Sequence, residues 1–397
     1  MAIIAAAGVV VSGLAVVTFF AIKNDWFTPR NDVRQTTQTQ QMSDAAVPTS
    51  VVVSVATENV AGAPSAVSLG FNNSEQVISR GTGSIMIYID GNKVVMATRD
   101  ANGSITEQKV VAEGGKPSLP AIAGDGSSIA AAWTDGKTVK ITVSSDDGKT
   151  FDAPTDFGAG TGVSLAASGK NIYAVWHNGT QETTSHILFS RFNNTSWSTP
   201  KQIDTSTAAA VWASVDVSGD HAFATWRDNS AGRYVIQGTQ SQDGGTTWQD
   251  VLTLATTLTG DPDVCVMKSG DVWIGHHGLG KISLLHSNDG VQFEAPITVG
   301  NGYFAHVSCA GILSSGREVI AIGWEDVVGK HTDPNKKAGY AVYADDGTKI
   351  TSGAVEGPAT ATTVYLSPDA KTLEVLWLKA GSSPLVGTLR HTILTLK

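Results

Sequence analysis

One strand pattern recurs seven times along this chain, and it restricts the fold more than any other feature. Each copy is a short apolar run, and most copies carry Trp or Tyr near the end. The copies are IMIYID (85–90), IAAAWTD (129–135), IYAVWHN (172–178), AFATWRD (222–228), VWIGHHG (272–278), VIAIGWED (319–326) and LEVLWLK (373–379). Six steps separate Tyr88 from Trp377, so the period is about 48 residues, the length of a four-stranded repeat. The pattern therefore predicts an all-β chain of repeated sheets, with the repeat tryptophans packed in the core between neighbouring sheets.

Eight-residue turns recur in the same phase as the strands. Residues 241–248 (SQDGGTTW) and 144–151 (SSDDGKTF) are the two best copies. Their Ser and Asp side chains are suited to accept hydrogen bonds from turn amides, and their glycines tolerate positive φ. We expect Trp248 to pack back under its hairpin. Weaker copies begin at Thr98, Ser190, His286 and Tyr343.

The two best turns resemble the Asp-box, S-x-D-x-G-x-T-W, of the Asp-box (BNR-repeat) sialidase-like β-propeller family. The resemblance covers residues 50–397 and implies a propeller whose boxes lie on the face away from any active centre. Seven strand copies predict seven blades, and six blades with an additional strand pair is the alternative. The last repeat lacks a fourth strand, so we expect Ser50–Val55 to pair beside the C-terminal strand and to close the ring.

The composition suits many short strands joined by tight turns. Charged residues make up 16% of the 397 residues, and 42 residues are glycine. A net charge of −9, with no basic stripe, argues against nucleic acid as a partner. The two cysteines, Cys265 and Cys309, are too few for a disulfide framework. We interpret them as small buried residues, with a single bridge or a reactive pair as the alternatives.

The N-terminus predicts a retained transmembrane anchor. Residues 2–22 carry no charge and are long enough to span a bilayer core as a helix, and Trp26 and Phe27 follow at the interfacial position. A cleaved signal peptide is the alternative, but no basic residue precedes the apolar run. We assign residues 1–27 to the anchor, 28–49 to a Thr/Gln-rich stalk or linker, and 50–397 to the propeller.

The side of the membrane is left open by the charges. Lys23, Arg30 and Arg34 all follow the apolar run, which by the positive-inside rule keeps the large domain in the cytoplasm. A virion with an internal membrane would reconcile this orientation with a spike that faces outward. We therefore expect a single-pass membrane protein with its bulk exposed as a soluble domain, at the cell surface or on a virion.

The resemblance implies a test for catalysis. Sialidases require three arginines that grip a carboxylate, a Tyr–Glu nucleophile pair and an Asp acid. The Arg-Ile-Pro entry motif of that family is absent, and Ser79-Arg80-Gly81 is a poor substitute. The remaining enzyme hypothesis combines Arg80, Arg227 and Arg317 with Tyr365 and Glu325. We expect no catalytic residues and no cofactor.

Candidate ligand-binding residues fall on the face opposite the boxes. The loops on that face are unequal, and 325–338 and 177–185 are the longer ones. Long loops on a rigid scaffold are common binding sites. Our candidates are aromatic or polar residues at strand ends and inner-strand starts, namely Trp212, Arg227, Asp261, Asp263, His276, Tyr303, Glu325 and Asp326.

Two pairs in this set also raise metal hypotheses. His276 and His277 are adjacent, but neighbouring strand residues point to opposite faces, so both seldom bind one metal. Asp261-Pro262-Asp263 has the carboxylates for calcium but is also an ordinary turn before a strand. We therefore expect no metal.

The sequence favours non-catalytic recognition as the function. The predicted protein is a membrane-anchored propeller that binds a glycan or a protein partner through the face opposite the boxes. A sialidase-like glycoside hydrolase is the first alternative. An architectural subunit of an oligomer or of a larger membrane-associated assembly is the second.

Overall fold

The described part of the chain is built entirely from β-strands. The computed structural model describes residues 51–60, 64, 67–70, 74–180, 183–256, 260–312, 317–327, 330, 333–355, 357–383 and 386–396. Twenty-eight strands and no helices occur within these ranges. The predicted anchor (1–27) and stalk (28–49) lie outside the described residues. Within the described ranges no helix has the length and apolar character needed to cross a bilayer.

The strands follow one another as antiparallel units of four. Two strands come first, β1 (Val51–Asn59) and β2 (Val67–Ser68). The first three units are β3–β6 (Val77–Arg80, Gly83–Asp90, Lys93–Arg99, Ile105–Glu113), β7–β10 (Pro117–Asp125, Ser128–Asp135, Thr138–Ser144, Thr155–Ala159) and β11–β14 (Thr161–Ser168, Asn171–His177, Ile187–Phe192, Lys201–Gln202). The next two are β15–β18 (Ala210–Ser218, His221–Asp228, Val235–Ser241, Leu252–Ala255) and β19–β22 (Asp263–Val266, Val272–Gly278, Lys281–Ser287, Ile297–Ile312). The sixth unit joins the second half of β22 to β23–β25 (Glu318–Asp326, Lys337–Ala344, Lys349–Val355), and the last contains β26–β28 (Ala359–Leu366, Thr372–Ser383, Val386–Leu396).

The recurring sequence pattern corresponds to the second strand of each unit. These are β4, β8, β12, β16, β20, β23 and β27, and each pairs with the strands before and after it. The pattern's tryptophans lie in the packing between sheets, as predicted. They are almost fully buried, at 3% exposure or less for Trp133, Trp176, Trp226 and Trp377 and 5% for Trp324. The architecture is all-β and propeller-like.

The box turns have the hydrogen bonds that their sequences predict. Ser241 Oγ accepts a hydrogen bond from Gly245 N at 2.8 Å, and Asp243 Oδ1 accepts one from Thr247 N at 2.8 Å. Trp248 packs against Phe189 of the preceding unit, with ring centroids 5.0 Å apart. The turn at Ser144 repeats this geometry. Each box therefore ties a turn to the sheet interface below it.

The weaker boxes are partly out of register with the prediction. Ser287, not His286, takes the box serine position, because its Oγ bonds Asp289 Oδ1 at 3.0 Å and Asp289 caps the turn amides. Arg99 is the last residue of β5, as Ser144 is of β9, so it occupies the box serine position of the first unit. In that turn Asp100 Oδ1 still accepts hydrogen bonds from two backbone amides. The carboxylate cap is thus retained where the serine is not.

The N-terminal strand completes the last unit, as predicted. β1 pairs antiparallel with β28, with Val51 opposite Leu396 and Asn59 opposite Arg390. Val60, which is buried, donates a backbone hydrogen bond to Leu389 O at 3.2 Å. The short strand β2 then bridges β28 and β4, so that strands from the two ends of the described chain share one sheet.

The two cysteines differ from our preferred interpretation. Cys265 on β19 and Cys309 on β22 form a disulfide, with their Cα atoms 5.8 Å apart. The two strands belong to neighbouring units and pack against each other, which brings residues 44 positions apart into contact. The alternative of a single bridge is therefore the correct one.

Candidate functional site

The first strand of each unit begins on the face opposite the boxes. In an antiparallel unit the turns after the first and third strands share one face, and the turn after the second strand lies on the other. The box turns follow the third strands. The opposite face, called the loop face below, therefore carries the starts of the first strands and the ends of the second strands.

A bulge with left-handed backbone recurs at the start of five first strands. The pairing register shifts at the same place in β7, β11, β15, β22 and β26. The residue within each shift has positive φ, namely Leu119 (51°), Gly162 (64°), Trp212 (54°), Phe304 (56°) and Ala361 (48°). Only glycine adopts this conformation without cost, so the other four positions are strained.

Trp212 lies against a histidine of the preceding unit. The ring centroids of Trp212 and His177 are 5.2 Å apart in an edge-to-face arrangement. His177 Nδ1 lies 3.0 Å from Gly179 O, and a carbonyl only accepts, so Nδ1 carries the proton. Burial lowers the pKa of His177 to about 4, so this ring is neutral at pH 7. The indole of Trp212 is half-buried and fixed in position.

Arg227 and Asp261 form an ion pair at the next seam, that is, the boundary between the fourth and fifth units. Arg227 Nη1 lies 3.2 Å from Asp261 Oδ1, and both side chains are little exposed, at 13% and 12%. The guanidinium also lies over the ring of Tyr234, 4.3 Å from its centroid, which is a cation–π geometry. Burial raises the pKa of the Asp261 carboxyl, and the charge of Arg227 lowers it in part.

A second aromatic group surrounds Tyr303. The ring centroid of His277 lies 5.5 Å from that of Tyr303 and 5.4 Å from that of Phe304. Phe304 N donates a hydrogen bond to His277 Nδ1 at 3.2 Å, which fixes the imidazole. Leu279 lies in the adjoining turn between β20 and β21 and is 71% exposed. This part of the loop face is therefore apolar and accessible.

Three of the predicted ligand-binding residues are buried within the protein. Glu325 is 3% exposed, accepts hydrogen bonds from Thr360 Oγ1 at 2.8 Å and Ala361 N at 3.0 Å, and pairs with Lys336. Asp263 and His276 are 4% and 5% exposed. The half-buried Asp326 ends β23 on the loop face. Trp212, Arg227, Asp261 and Tyr303 are also half-buried, and they adjoin the groups described above.

Asp263 belongs to a group of ionisable side chains between the first strands. Its Oδ1 accepts a hydrogen bond from Ser214 Oγ at 2.6 Å and its Oδ2 one from Val307 N at 2.9 Å. His306 Nε2 lies 3.7 Å from Asp263 Oδ2 and 3.9 Å from Glu75 Oε2. Burial raises the pKa of Asp263 to about 8 and lowers the pKa of His306 to about 3. Asp216 is the third carboxyl of this group, and burial raises its pKa to about 6.

These pKa shifts predict a loss of stability in mildly alkaline solution. Folded Asp263 keeps a proton that the unfolded chain releases near pH 4, so its contribution falls as pH rises towards about 8. His306 has the opposite effect, since the unfolded histidine releases its proton by about pH 6.5. Above that pH the loss dominates, because Glu75, whose pKa burial also raises, acts in the same direction. The melting temperature should therefore decline between about pH 6.5 and 8.

Substitution of Asp263 isolates this effect. Asp263→Asn should flatten the decline, since the amide does not titrate. Asp216→Asn is the matched control, because the pKa of Asp216 is about 6 and its titration is mostly complete below this window. Melting curves recorded at several pH values provide the measurement. An unchanged slope in Asp263→Asn would contradict the assignment.

Four arginines of the described chain are engaged at separate points rather than at one site. Arg80 pairs with Asp147, Arg99 with Glu374 and Arg317 with Asp345, while Arg191 Nη1 donates to Gly244 O. These four lie towards the box face, with Arg80 and Arg99 in the first unit, Arg191 in the third and Arg317 in the sixth. Tyr365 bonds Ser79 Oγ at 2.7 Å, and the carboxylate of Glu325 is engaged elsewhere. The hypothetical set of Arg80, Arg227 and Arg317 with Tyr365 and Glu325 is therefore not assembled.

The residues of each metal hypothesis also lie apart from each other, with different partners. Asp261 pairs with Arg227, whereas Asp263 bonds Ser214 between the first strands. His276 is buried, whereas His277 contacts Tyr303 and Phe304. Across the part of the chain that the structure describes, no three His, Cys, Asp or Glu side chains are grouped so as to hold a metal ion.

His177, His277 and Phe304 lie on the loop face but were not among the predicted ligand-binding residues. Like the predicted Arg227, the two histidines directly follow the tryptophan position of the repeat, which is filled by Trp176, Trp226 and His276. Variation at this one repeat position is a signal that the sequence does contain. Phe304 occupies the same bulge position as Trp212. The sequence did not indicate the role of Phe304, because neither Phe nor Trp is a residue type that predicts a positive φ.

Repeated antiparallel units with Asp-box turns define an Asp-box protein with a propeller-like fold. The sequence matches the BNR repeat-like domain family over residues 125–347, more than half of the chain. The protein therefore belongs to that family, which agrees with the resemblance drawn from the two boxes. A search of curated proteins finds no sequence match.

Solved structures show the same fold at low sequence identity. The leech intramolecular trans-sialidase is 10% identical, with a TM-score of 0.51 over 85% of this chain and 93% of that one. Polysaccharide lyase Uly1 is 12% identical, with a TM-score of 0.51 over 82% and 90%. A Trypanosoma rangeli sialidase complex is 13% identical, with a TM-score of 0.50 over 80% of this chain and 59% of that one. The chain thus spans less than two thirds of the trypanosomal enzyme, and these likenesses concern the fold alone.

Proposed function

We propose that the protein is a non-catalytic recognition propeller that binds its partner through the loop face. The observation that carries this proposal is the dispersal of the arginines. A carboxylate clamp needs several guanidinium groups at one point, whereas Arg80, Arg99, Arg227 and Arg317 each pair with a different acidic residue. The one that adjoins the candidate site, Arg227, already pairs with Asp261. A substrate carboxylate would have to compete with that residue.

The proposal includes seven blades. Each of the seven antiparallel units would be one blade, and β1 would supply the fourth strand of the last. Closure by strands from both termini removes exposed sheet edges and holds the loop face rigid. A rigid scaffold favours recognition, since little conformational entropy is lost on binding.

We further propose that residues 2–22 tether this propeller to a membrane. Their length and lack of charge support a single-pass anchor, and residues 28–49 would form the stalk. The propeller would then be displayed at the surface of a cell or a virion. An architectural role in a larger assembly would use the same anchor but would not need a ligand on the loop face.

An activity assay tests the absence of catalysis. Full-length protein incubated with fluorogenic sialosides, with other aryl glycosides and with a uronate polysaccharide should release no product above the buffer rate. The reason is that, in the described part of the chain, Tyr365 bonds Ser79 and the carboxylate of Glu325 bonds Thr360, so these two residues do not form a Tyr–Glu pair. A sialidase and a polysaccharide lyase serve as positive controls.

One variant decides how any observed turnover is interpreted. Arg227→Ala removes the arginine next to the candidate site without changing the box face. Turnover by the wild-type protein that disappears in Arg227→Ala would overturn the proposal in favour of a glycoside hydrolase or a lyase. Turnover that persists in the variant at the same rate would not involve Arg227, and only its removal by further purification would identify a contaminating enzyme.

A further inference from the structure

Two of the four strained bulge positions on the loop face carry aromatic side chains. Five first strands share the same bulge, and Gly162 shows that glycine fits there without strain. A non-glycine residue in the left-handed region costs about 1–2 kcal/mol. Trp212 and Phe304 nevertheless occupy two of these positions, each with a half-buried ring. Leu119 and Ala361 carry the same strain without a ring, so the half-buried rings at two of the bulges, rather than the strain itself, point to a function.

Both rings are held by neighbours that restrict their motion. A Cβ atom on Gly162 would lie 3.0 Å from Trp212 Cε3, so the indole lies closely over that glycine and against His177. The ring of Phe304 packs against His277, which also accepts the hydrogen bond of Phe304 N. Rings fixed in this way are preorganised platforms, which lose little entropy when a ligand stacks on them.

The ion pair between these platforms determines the charge of the ligand. Arg227 and Asp261 neutralise each other at 3.2 Å, and Tyr234 covers one side of the guanidinium. Such a pair offers donors and an acceptor side by side, which suits adjacent hydroxyl groups. An anionic ligand gains little there, because the carboxylate of Asp261 repels it and already occupies the arginine.

From this arrangement we propose that the loop face binds a neutral oligosaccharide. Sugar rings would stack on Trp212 and on the group around Tyr303 and Phe304, while Arg227 and Asp261 hydrogen-bond ring hydroxyls between them. The inference rests on the proposed recognition function and specifies its ligand class. Two platforms at separate seams require at least two sugar rings. A sialylated glycan is the alternative that the chemistry of the ion pair disfavours.

A glycan array tests the ligand class directly. Full-length protein, purified in a detergent without a sugar head group, is applied to immobilised neutral glycans and to their sialylated or uronate-containing counterparts. We expect binding to members of the neutral set and at least tenfold weaker binding to the acidic counterparts. Hits confined to acidic glycans, or no hits at all, would overturn the inference.

Substitution to glycine separates the platform from the fold. Trp212→Gly relieves the strained φ and removes the ring, so binding should fall at least tenfold while the melting temperature changes by only a few degrees. Leu119→Gly makes the same backbone change at the equivalent bulge of the second unit and should leave binding unchanged. Equal binding by wild-type protein and Trp212→Gly would contradict the assignment.

A third variant tests the ion pair. Asp261→Asn leaves Arg227 without its counter-charge, so binding should shift from the neutral glycans towards the sialylated ones. An unshifted profile would exclude the ion pair as the source of selectivity and would overturn the inference. Failure of the recognition function itself is distinguished by the activity assay, because product release is measured independently of the array.

Discussion

Deletion of residues 1–59 should unfold the propeller-like domain or cause it to aggregate. Deletion of residues 1–45 should leave the melting temperature of this domain nearly unchanged. The longer deletion removes β1, which pairs with β28 along the outer side of the last unit. Six paired positions are lost, and a net backbone hydrogen bond contributes roughly 1 kcal/mol. The total is a large fraction of the stability of an ordinary domain.

The exposed edge adds a second effect. Without β1, the outer edge of β28 would present unpaired N–H and C=O groups over most of its length, which is a template for intermolecular pairing. We therefore expect soluble aggregates by size-exclusion chromatography as well as a lower melting temperature by circular dichroism. The shorter deletion controls for loss of the predicted anchor and stalk. If the two deletions melt alike, β1 is not required for closure.

Repetition explains why much of the fold could be predicted from the sequence. The tryptophan strands, the box turns and the closing strand each follow from a pattern whose phase is fixed by its neighbours. Trp226 and Trp377, for example, lie at the predicted depth between sheets. The pairing of β1 with β28 followed from counting strands, because the last unit lacked one.

Contacts between units were less predictable, because the sequence does not show which residues of neighbouring units lie against each other. The disulfide joins Cys265 and Cys309 across two first strands, and no local pattern shows that these strands meet at those residues. Glu325 looked like a loop-face residue, but Thr360 and Ala361 of the next unit bury its carboxylate. For the candidate site, residue types located Trp212 and Arg227. Their partners His177 and Asp261 depend on how neighbouring units pack.

A buried ion pair at the seam between the last unit and the first could not be predicted for the same reason, because it also joins two different units. Arg99 replaces the box serine and donates two hydrogen bonds to Glu374, at 2.6 and 2.9 Å. His391 Nδ1 lies 2.8 Å from the same carboxylate, and the box turn at Gly103 packs closely over this histidine. The side chains of Arg99 and Glu374 are 0% and 6% exposed. Burial alone would raise the pKa of Glu374, but Arg99 and His391 lower it below its usual value.

Removing the carboxylate from this pair should be severely destabilising. Glu374→Ala leaves a buried guanidinium without a counter-charge, which costs roughly 3–5 kcal/mol. The melting temperature should fall by on the order of 10 °C, given about 2–4 °C per kcal/mol for domains of 150–250 residues. Because the pKa of Glu374 is lowered in the folded state, its contribution is present near neutral pH and is lost as the carboxylate is protonated in acid.

Two further variants separate loss of the charge balance from loss of packing. The double variant Arg99→Met with Glu374→Leu removes both charges and retains apolar volume, so it should melt closer to the wild-type protein than Glu374→Ala does. Glu113→Ala is the matched surface control. It breaks an exposed pair with Lys93 at 3.9 Å and should change stability by less than about 1 kcal/mol. If Glu374→Ala were no more destabilising than Glu113→Ala, the seam would not depend on this ion pair, and the pairing of β1 with β28 would be the main contact that holds the last unit in place.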